Sequence, residues 1–88
     1  MSTSSEAIKT LEQATINTQA AIAIIDNLIV THDYQDVASL VANAAAALLQ
    51  SATLLMQSKD EDAIDALERA DDFLDVVYDI LDEDTSDD

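Results

Sequence analysis

The residues best suited to chemistry are carboxylates, which recur along the last third of the chain. One row places an acid every three or four residues, which is the spacing of a single face of an α-helix. Neighbouring members would be about one helical turn, or 5.4 Å, apart. Such a row is typical of a solvated helix face or of a surface that binds basic groups. Its members are Glu61, Asp65, Glu68, Asp72, Asp75, Asp79 and Asp82.

Few other residue types that carry chemistry are present. The chain has no Cys and a single His, His32, which we expect to be a solvated residue in a loop. Thiol chemistry, disulfides and cysteine-based zinc sites are therefore excluded. Asp60-x-Asp62 begins like a calcium-binding loop, but the sixth position lacks Gly and Asp71 stands at the twelfth. The carboxylates of this row occupy a convex face, so we predict no catalytic residue, no metal site and no cofactor.

Net charge restricts the possible partners. The 88 residues contain 19 acids and three bases, which gives a net charge of −16. Residues 58–88 hold fourteen acids and two bases, a net charge of −12, whereas residues 1–57 hold five acids and one base. Such a field repels nucleic acid and anionic membranes and attracts basic proteins. We therefore expect a basic protein partner and no direct binding of nucleic acid or membrane.

The positioning elements are predicted to be three helices. Gly and Pro are absent, which favours long helices joined by short connections. Thr3-x-x-Glu6 and Ser58-x-x-Glu61 fit capping boxes, and Thr31 or Asp33 can cap the helix between them. We predict an all-α, antiparallel three-helix bundle with helices at about 4–31, 34–57 and 59–82. Residues 1–82 form one domain, and residues 83–88 are expected to be a disordered acidic tail.

Helix 2 is the most apolar element. Residues 37–58 contain no charge, and their apolar arc of roughly 200° is wider than one neighbouring helix can cover. We therefore predict a central helix held between the other two. Its one polar stripe is uncharged, which suggests that the stripe is covered, most simply by a second copy. This predicted dimer face consists of Ser39, Asn43, Ala46, Gln50, Thr53 and Gln57.

The apolar spacing also predicts which residues of each helix are covered. In helix 2, Val41, Leu48 and Leu55 lie opposite the polar stripe and are expected to be packed. In helix 1, a second apolar line begins at Ile16, so its C-terminal half is expected to be more enclosed. Arg69 is expected to pair with Asp65 or Asp72 along helix 3. The predicted core line of helix 3 is Ala63, Leu67, Ala70, Phe73, Leu74, Val77, Ile80 and Leu81.

Helix 2 also has the length of a membrane span. About 20 apolar residues suffice to cross a bilayer. Asn43, Gln50 and Gln57 make insertion of this helix marginal, and no cluster of Lys or Arg flanks it. The N-terminus lacks the basic region of a signal peptide. We therefore predict a cytoplasmic protein without a membrane span.

Two functional hypotheses follow from these patterns. In the first, the protein is a non-enzymatic interaction module, expected to be a homodimer, that binds a basic protein through the acidic row. In the second, it is a nucleic-acid mimic of the phage or mobile-element type, and the row occupies the DNA- or RNA-binding surface of a target protein. Carboxylates spaced by one helical turn are compatible with a row of backbone phosphates.

Overall fold

The protein consists of three α-helices in a computed structural model that describes residues 3–85, with side chains described to residue 83. Helix α1 spans Ser4–Asp26, α2 spans Gln35–Met56 and α3 spans Asp60–Thr85. The predicted all-helical architecture of three helices is confirmed. Helix α1 ends five residues before its predicted end, and α3 continues three residues beyond its predicted end. Residues 86–88 of the predicted tail lie outside the described residues.

Helix α2 lies in the middle and packs against both of the others. In the described part of the chain, no Cα atom of α1 comes within 8 Å of one in α3. The radius of gyration is 15.4 Å, against about 12 Å for a compact chain of this length. The accessible surface is 6240 Å², against about 5,000 Å² for a typical monomer of this mass. The three helices therefore form an open layer around α2 and leave much of their surface free.

The core between the helices is built from small side chains. Four alanines are almost fully buried, with exposed fractions of 2% or less: Ala44, Ala63, Ala66 and Ala70. Val37, Ala46, Ala47 and Val77 complete the buried apolar set. Among the described residues, no large side chain is completely buried. Small residues let the helix backbones approach closely, but each removes little apolar area from water.

Three buried hydroxyl groups are satisfied inside their own helices. Thr15 donates to the carbonyl of Leu11 at 2.9 Å, and Thr53 donates to that of Leu49 at 2.9 Å. Ser51 donates to the carbonyl of Leu48 at 2.6 Å. Because a hydroxyl that bonds to its own helix needs no water, these residues pack as small, nearly apolar surfaces. They extend the close contacts made by the alanines.

Helix α1 begins and ends at side-chain caps. At the start, the Glu6 N–H donates to Thr3 Oγ1 at 3.2 Å, which confirms the predicted N-cap. At the end, Asn27 Nδ2 donates to the carbonyl of Ala23 at 2.7 Å, and the Asn27 N–H donates to that of Ile24. This cap stops the helix before residues 28–31, so the predicted helix end at 31 is wrong. Short polar side chains that bond to backbone favour helix ends over interiors.

The connection between α1 and α2 is fixed by Gln35. Its Nε2 donates to the carbonyl of Ile25 at 2.7 Å, and its Oε1 accepts the N–H of His32. The residue before α2 is Tyr34, which makes no side-chain cap, so the predicted capping by Thr31 or Asp33 is wrong. His32 is exposed, and its Nδ1 accepts the N–H of Tyr34 at 3.1 Å. The single histidine therefore acts as a turn residue.

In the turn between α2 and α3, Ser58 does not form the predicted capping box. Ser58 adopts a left-handed conformation with φ of 61°. Its N–H donates to the carbonyl of Leu55, and the N–H of Lys59 donates to that of Leu54. These two bonds form a Schellman motif that closes α2, a position at which Gly is usual. Ser58 therefore terminates α2 and does not cap α3, which begins at Asp60.

The side-chain exposures correct several predictions. In α1, Ile8, Leu11, Ala14, Ile22 and Ile25 form a half-buried apolar line, but Ile16 and Ile24 of the second line are 56% and 67% exposed. The C-terminal half of α1 is therefore not more enclosed. In α3, Leu67 and Leu81 of the predicted core line are exposed, whereas Ala66 was not predicted and is fully buried. Small residues occupy the contact with α2 and displace larger residues to its margin.

Replacing the buried alanine of α3 tests the close packing. We expect Ala66→Leu to lower the free energy of unfolding by about 1–3 kcal/mol, because three added carbons do not fit between the helices. Urea unfolding followed by circular dichroism measures the change. Ala20→Leu on the exposed side of α1 is the control and should have little effect. Equal stability of the two variants would contradict close packing at Ala66.

The left-handed backbone conformation of Ser58 predicts a stabilising substitution. Ser58→Gly should raise the free energy of unfolding by about 0.5–1 kcal/mol, since Gly adopts positive φ without steric cost. The same substitution in an ordinary helical position, Ser5→Gly, should lower it by a few tenths of a kcal/mol. Thermal unfolding of the three proteins provides the comparison. A loss of stability in Ser58→Gly would show that the serine side chain contributes more than its conformation costs.

Candidate functional site

The acidic row is presented on the exposed face of α3. All seven of its residues are exposed, from Glu61 to Asp82. Helix α3 contacts α2 through Ala63, Ala66, Ala70 and Val77, which lie on the opposite side of the helix. The same periodicity that buries the alanines therefore turns the carboxylates outward. The row is about 31 Å long at 1.5 Å per residue, so it is a straight, continuous anionic surface.

The charge density of α3 as a whole resembles that of one nucleic-acid strand. The row alone has about one carboxylate per 5.3 Å of helix axis. Asp60, Asp62, Asp71 and Glu83 are also exposed on α3 and raise the density to about one charge per 3 Å. One strand of B-DNA carries a charge every 3.4 Å, and the duplex one every 1.7 Å. Helix α3 therefore approaches the linear charge density of a single strand but not that of a duplex.

Few cations of the chain offset this charge. Arg69 donates from Nη2 to Gln50 Oε1 on α2 at 3.0 Å. This bond replaces the predicted pairing of Arg69 with Asp65 or Asp72. It also links α2 to α3 directly beside the acidic row. The carboxylates are thus left for solvent or for a basic partner.

The uncharged stripe of α2 faces into the protein. Ala46 and Thr53 are buried, and Ser39, Asn43, Gln50 and Gln57 are half-buried. Asn43 donates from Nδ2 to the carbonyl of Ser39, and Gln50 accepts from Arg69. The covering that the sequence analysis assigned to a second copy is therefore supplied by the neighbouring helices. The absence of charge from the stripe therefore no longer indicates a dimer contact there.

Part of the stripe lines a cleft between α1 and α2. The cleft has a volume of about 530 Å³ and its lining combines one carboxylate, two amides and two hydroxyls with two apolar side chains. These residues are Glu12, Thr15, Ile16, Gln50, Thr53, Leu54 and Gln57. In the described residues, no group of three or more His, Cys, Asp or Glu is arranged to hold a metal ion. The cleft pairs no second carboxylate with Glu12 for acid–base work.

The surface that sequence reasoning missed lies on the other side of α2. Val41, Leu48 and Leu55 were expected to be packed, but they are 46%, 45% and 53% exposed. Tyr34, one heptad before Val41, is 46% exposed. Alanines 38, 45 and 52 lie between these large residues. The sequence feature that indicates this surface is the seven-residue spacing of large side chains with alanine between them, which is a coiled-coil pattern. We call these seven residues the outer row of α2.

A second exposed apolar segment follows the end of α1. Leu28, Ile29 and Val30 follow the cap of α1 and are 39%, 101% and 80% exposed. Because the helix ends at Asn27, these residues leave the apolar face on which the sequence placed them. They add an exposed apolar segment to the connection between α1 and α2.

Helix α2 meets the length and composition criteria of a membrane span. The core helix of a water-soluble protein meets the same criteria. The helix is the middle element of three and is packed on two sides by α1 and α3. Only 33% of the apolar window is buried, so packing against α1 and α3 covers part of its apolar surface, and the finding carries no assignment of cellular location.

Comparison with known proteins provides no relative from which a function can be transferred. No protein-family model matches the chain, and no curated protein and no solved structure matches it. The binding properties of the protein have to be inferred from its own surfaces.

The inward orientation of the stripe can be tested with one pair of aspartates. Ala46→Asp should lower the free energy of unfolding by at least about 3 kcal/mol, because it buries an unpaired charge. Ala38→Asp on the exposed side of α2 should cost less than about 1 kcal/mol. Chemical denaturation of dilute protein measures both. A tolerated Ala46→Asp would place the stripe at the surface.

Proposed function

We propose that this protein is a non-enzymatic interaction module, active as a homodimer, whose acidic row on α3 binds a basic protein. The observation that supports the proposal is the exposure of all seven carboxylates in one straight row. Their side of α3 is opposite the contact with α2, so a partner can bind without disturbing the fold. A row of unpaired acids costs stability through mutual repulsion, and a basic partner relieves that repulsion.

The distribution of charge supports a protein partner over other anion-binding classes. The net charge of −16 disfavours approach to nucleic acid and to anionic lipid. Small cations would be bound loosely by single exposed carboxylates, since the described residues contain no clustered donor set. An extended basic surface, such as a helix or groove rich in Arg and Lys, matches the length of the row. Arg is suited to the task because its guanidinium can bond two carboxylate oxygens.

A second candidate specifies which basic surface is bound. The density of about one charge per 3 Å on α3 is close to that of one nucleic-acid strand. This observation favours a nucleic-acid-binding protein as the partner, with the row acting as an inhibitor that competes with DNA or RNA. Single-stranded sites fit this density better than sites that read a duplex.

Both candidates predict that neutral isosteres in the row abolish binding. In Asp72→Asn/Asp75→Asn/Asp79→Asn, three adjacent charges are lost while shape is kept. The control Glu6→Gln/Glu12→Gln/Asp26→Asn removes three exposed acids of α1, outside α3. Affinity capture from lysate at low and moderate salt, followed by identification of the bound proteins, compares the three baits. We expect the row variant alone to lose a basic protein that wild type retains and that salt elutes.

The same experiment separates the two candidates. Single-stranded DNA added as a competitor should displace the captured protein if the row mimics nucleic acid, and should leave it bound if the basic surface has another role. Equal loss of capture by both triple variants would mean that net charge alone is responsible. If the amount of captured protein changes neither with salt nor in the acidic-row variant, the proposed function is contradicted.

A further inference from the structure

The outer row of α2 is an exposed apolar surface with the geometry of a helix-packing seam. Its large members are Tyr34, Val41, Leu48 and Leu55, each 45–53% exposed and each seven residues from the next. Alanines 38, 45 and 52 fill the alternate positions, so the spacing is four and then three residues throughout. This is the pattern of positions a and d in a coiled coil. The inner surfaces of α2 are already occupied by α1 and α3.

We infer that this row is the contact between two copies of the chain, paired through antiparallel α2 helices. The inference rests on the homodimer of the proposed function and identifies the surface that forms it. The partner is a second copy because the row is complementary to itself. In an antiparallel pair, position a of one helix faces position d of the other, so Val41, Leu48 and Leu55 each meet an alanine. Leu48 of one copy, for example, packs against Ala45 of the other.

Alternation of large and small residues gives layers of equal thickness. Such layers allow close approach of the two helices without cavities. In a parallel pair the same row would place large residues against large ones and alanine against alanine. The helices would then be held apart at one layer and leave a gap at the next, which is unfavourable. The composition of the row therefore selects the antiparallel direction.

Charge favours the same surface and the same direction. Residues 37–58 have no charged side chain, so two chains of net charge −16 can meet there without placing acids in contact. Asp33 and Asp36 lie at the start of α2, and Lys59 follows its end; all three are exposed. Antiparallel pairing brings Lys59 of one copy towards Asp33 and Asp36 of the other. Parallel pairing would place like charges together at both ends.

Self-association can be measured directly on the full chain. Sedimentation equilibrium of the wild-type protein from micromolar to submillimolar concentration should show a reversible monomer–dimer equilibrium. Val41→Glu should raise the dissociation constant by at least about tenfold, as expected for a charge at the centre of an apolar contact. The matched control is Val76→Glu on α3, since both valines are 46% exposed. The control should dimerise as wild type does, and circular dichroism should show both variants folded.

Cysteine cross-linking tests the direction, because the chain has no natural cysteine. Ala45→Cys lies near the middle of α2 and should form a disulfide-linked dimer under mild oxidation if the helices are antiparallel. Ala38→Cys lies towards one end and should not, since its counterpart would be beyond the reach of a disulfide. Efficient cross-linking at both positions would indicate a parallel pair.

Several outcomes would overturn the inference. If the wild-type protein stays monomeric up to submillimolar concentration, the outer row of α2 is not a contact between copies. A dimer that survives Val41→Glu, or one that Val76→Glu disrupts equally, is formed elsewhere. Binding of wild-type protein to neutral lipid vesicles that Val41→Glu abolishes, without any dimer, would assign the row to a membrane. If a monomer captures a basic protein and the acidic-row variant abolishes that capture, the dimer inference is wrong but the proposed role of α3 is retained.

Discussion

Close packing of small side chains between α2 and its two neighbours is the constraint on which the rest of the structure depends. The alanines of α2 and α3, with Thr15, Ser51 and Thr53, form surfaces across which backbones approach closely. Larger residues do not fit in these contacts and lie at the margins or outside. The open layer, the free outer row of α2 and the outward acids of α3 all follow from this choice of core.

We propose different roles for the two candidate surfaces because their chemistry differs. The acidic row offers long-range attraction that depends on salt and suits a basic partner. The outer row of α2 offers short-range apolar contact that is insensitive to salt and suits a surface without charge. They lie on different helices, so self-association and partner binding are compatible. In an antiparallel dimer, the module presents two acidic rows to its partners.

The sequence predicted those features that depend on charge and local capping. Seven acids at helical spacing are predicted to be exposed because burying unpaired charges is costly. The N-cap at Thr3 is predicted from its hydroxyl and from Glu6 three residues later. The orientation of α2 could not be predicted, because polar residues such as Gln50 and Thr53 are expected at the surface and large apolar residues such as Leu48 and Leu55 in the core. Hydroxyls that bond to their own helix behave as small packing residues. The end of α1 was missed because an apolar run after Asn27 outweighed the capping preference of the asparagine.

The central claim is that the large apolar residues of α2 are exposed in a single copy and pack against the α2 alanines of a second copy. Isotope-filtered nuclear Overhauser spectroscopy on a mixture of labelled and unlabelled protein tests it most directly. Such spectra report only contacts between copies. The account predicts intermolecular contacts from the methyl groups of Val41, Leu48 and Leu55 to alanine methyls of the other α2, and none from Val76. Contacts confined to other helices, or no intermolecular contacts in the concentrated protein, would contradict it.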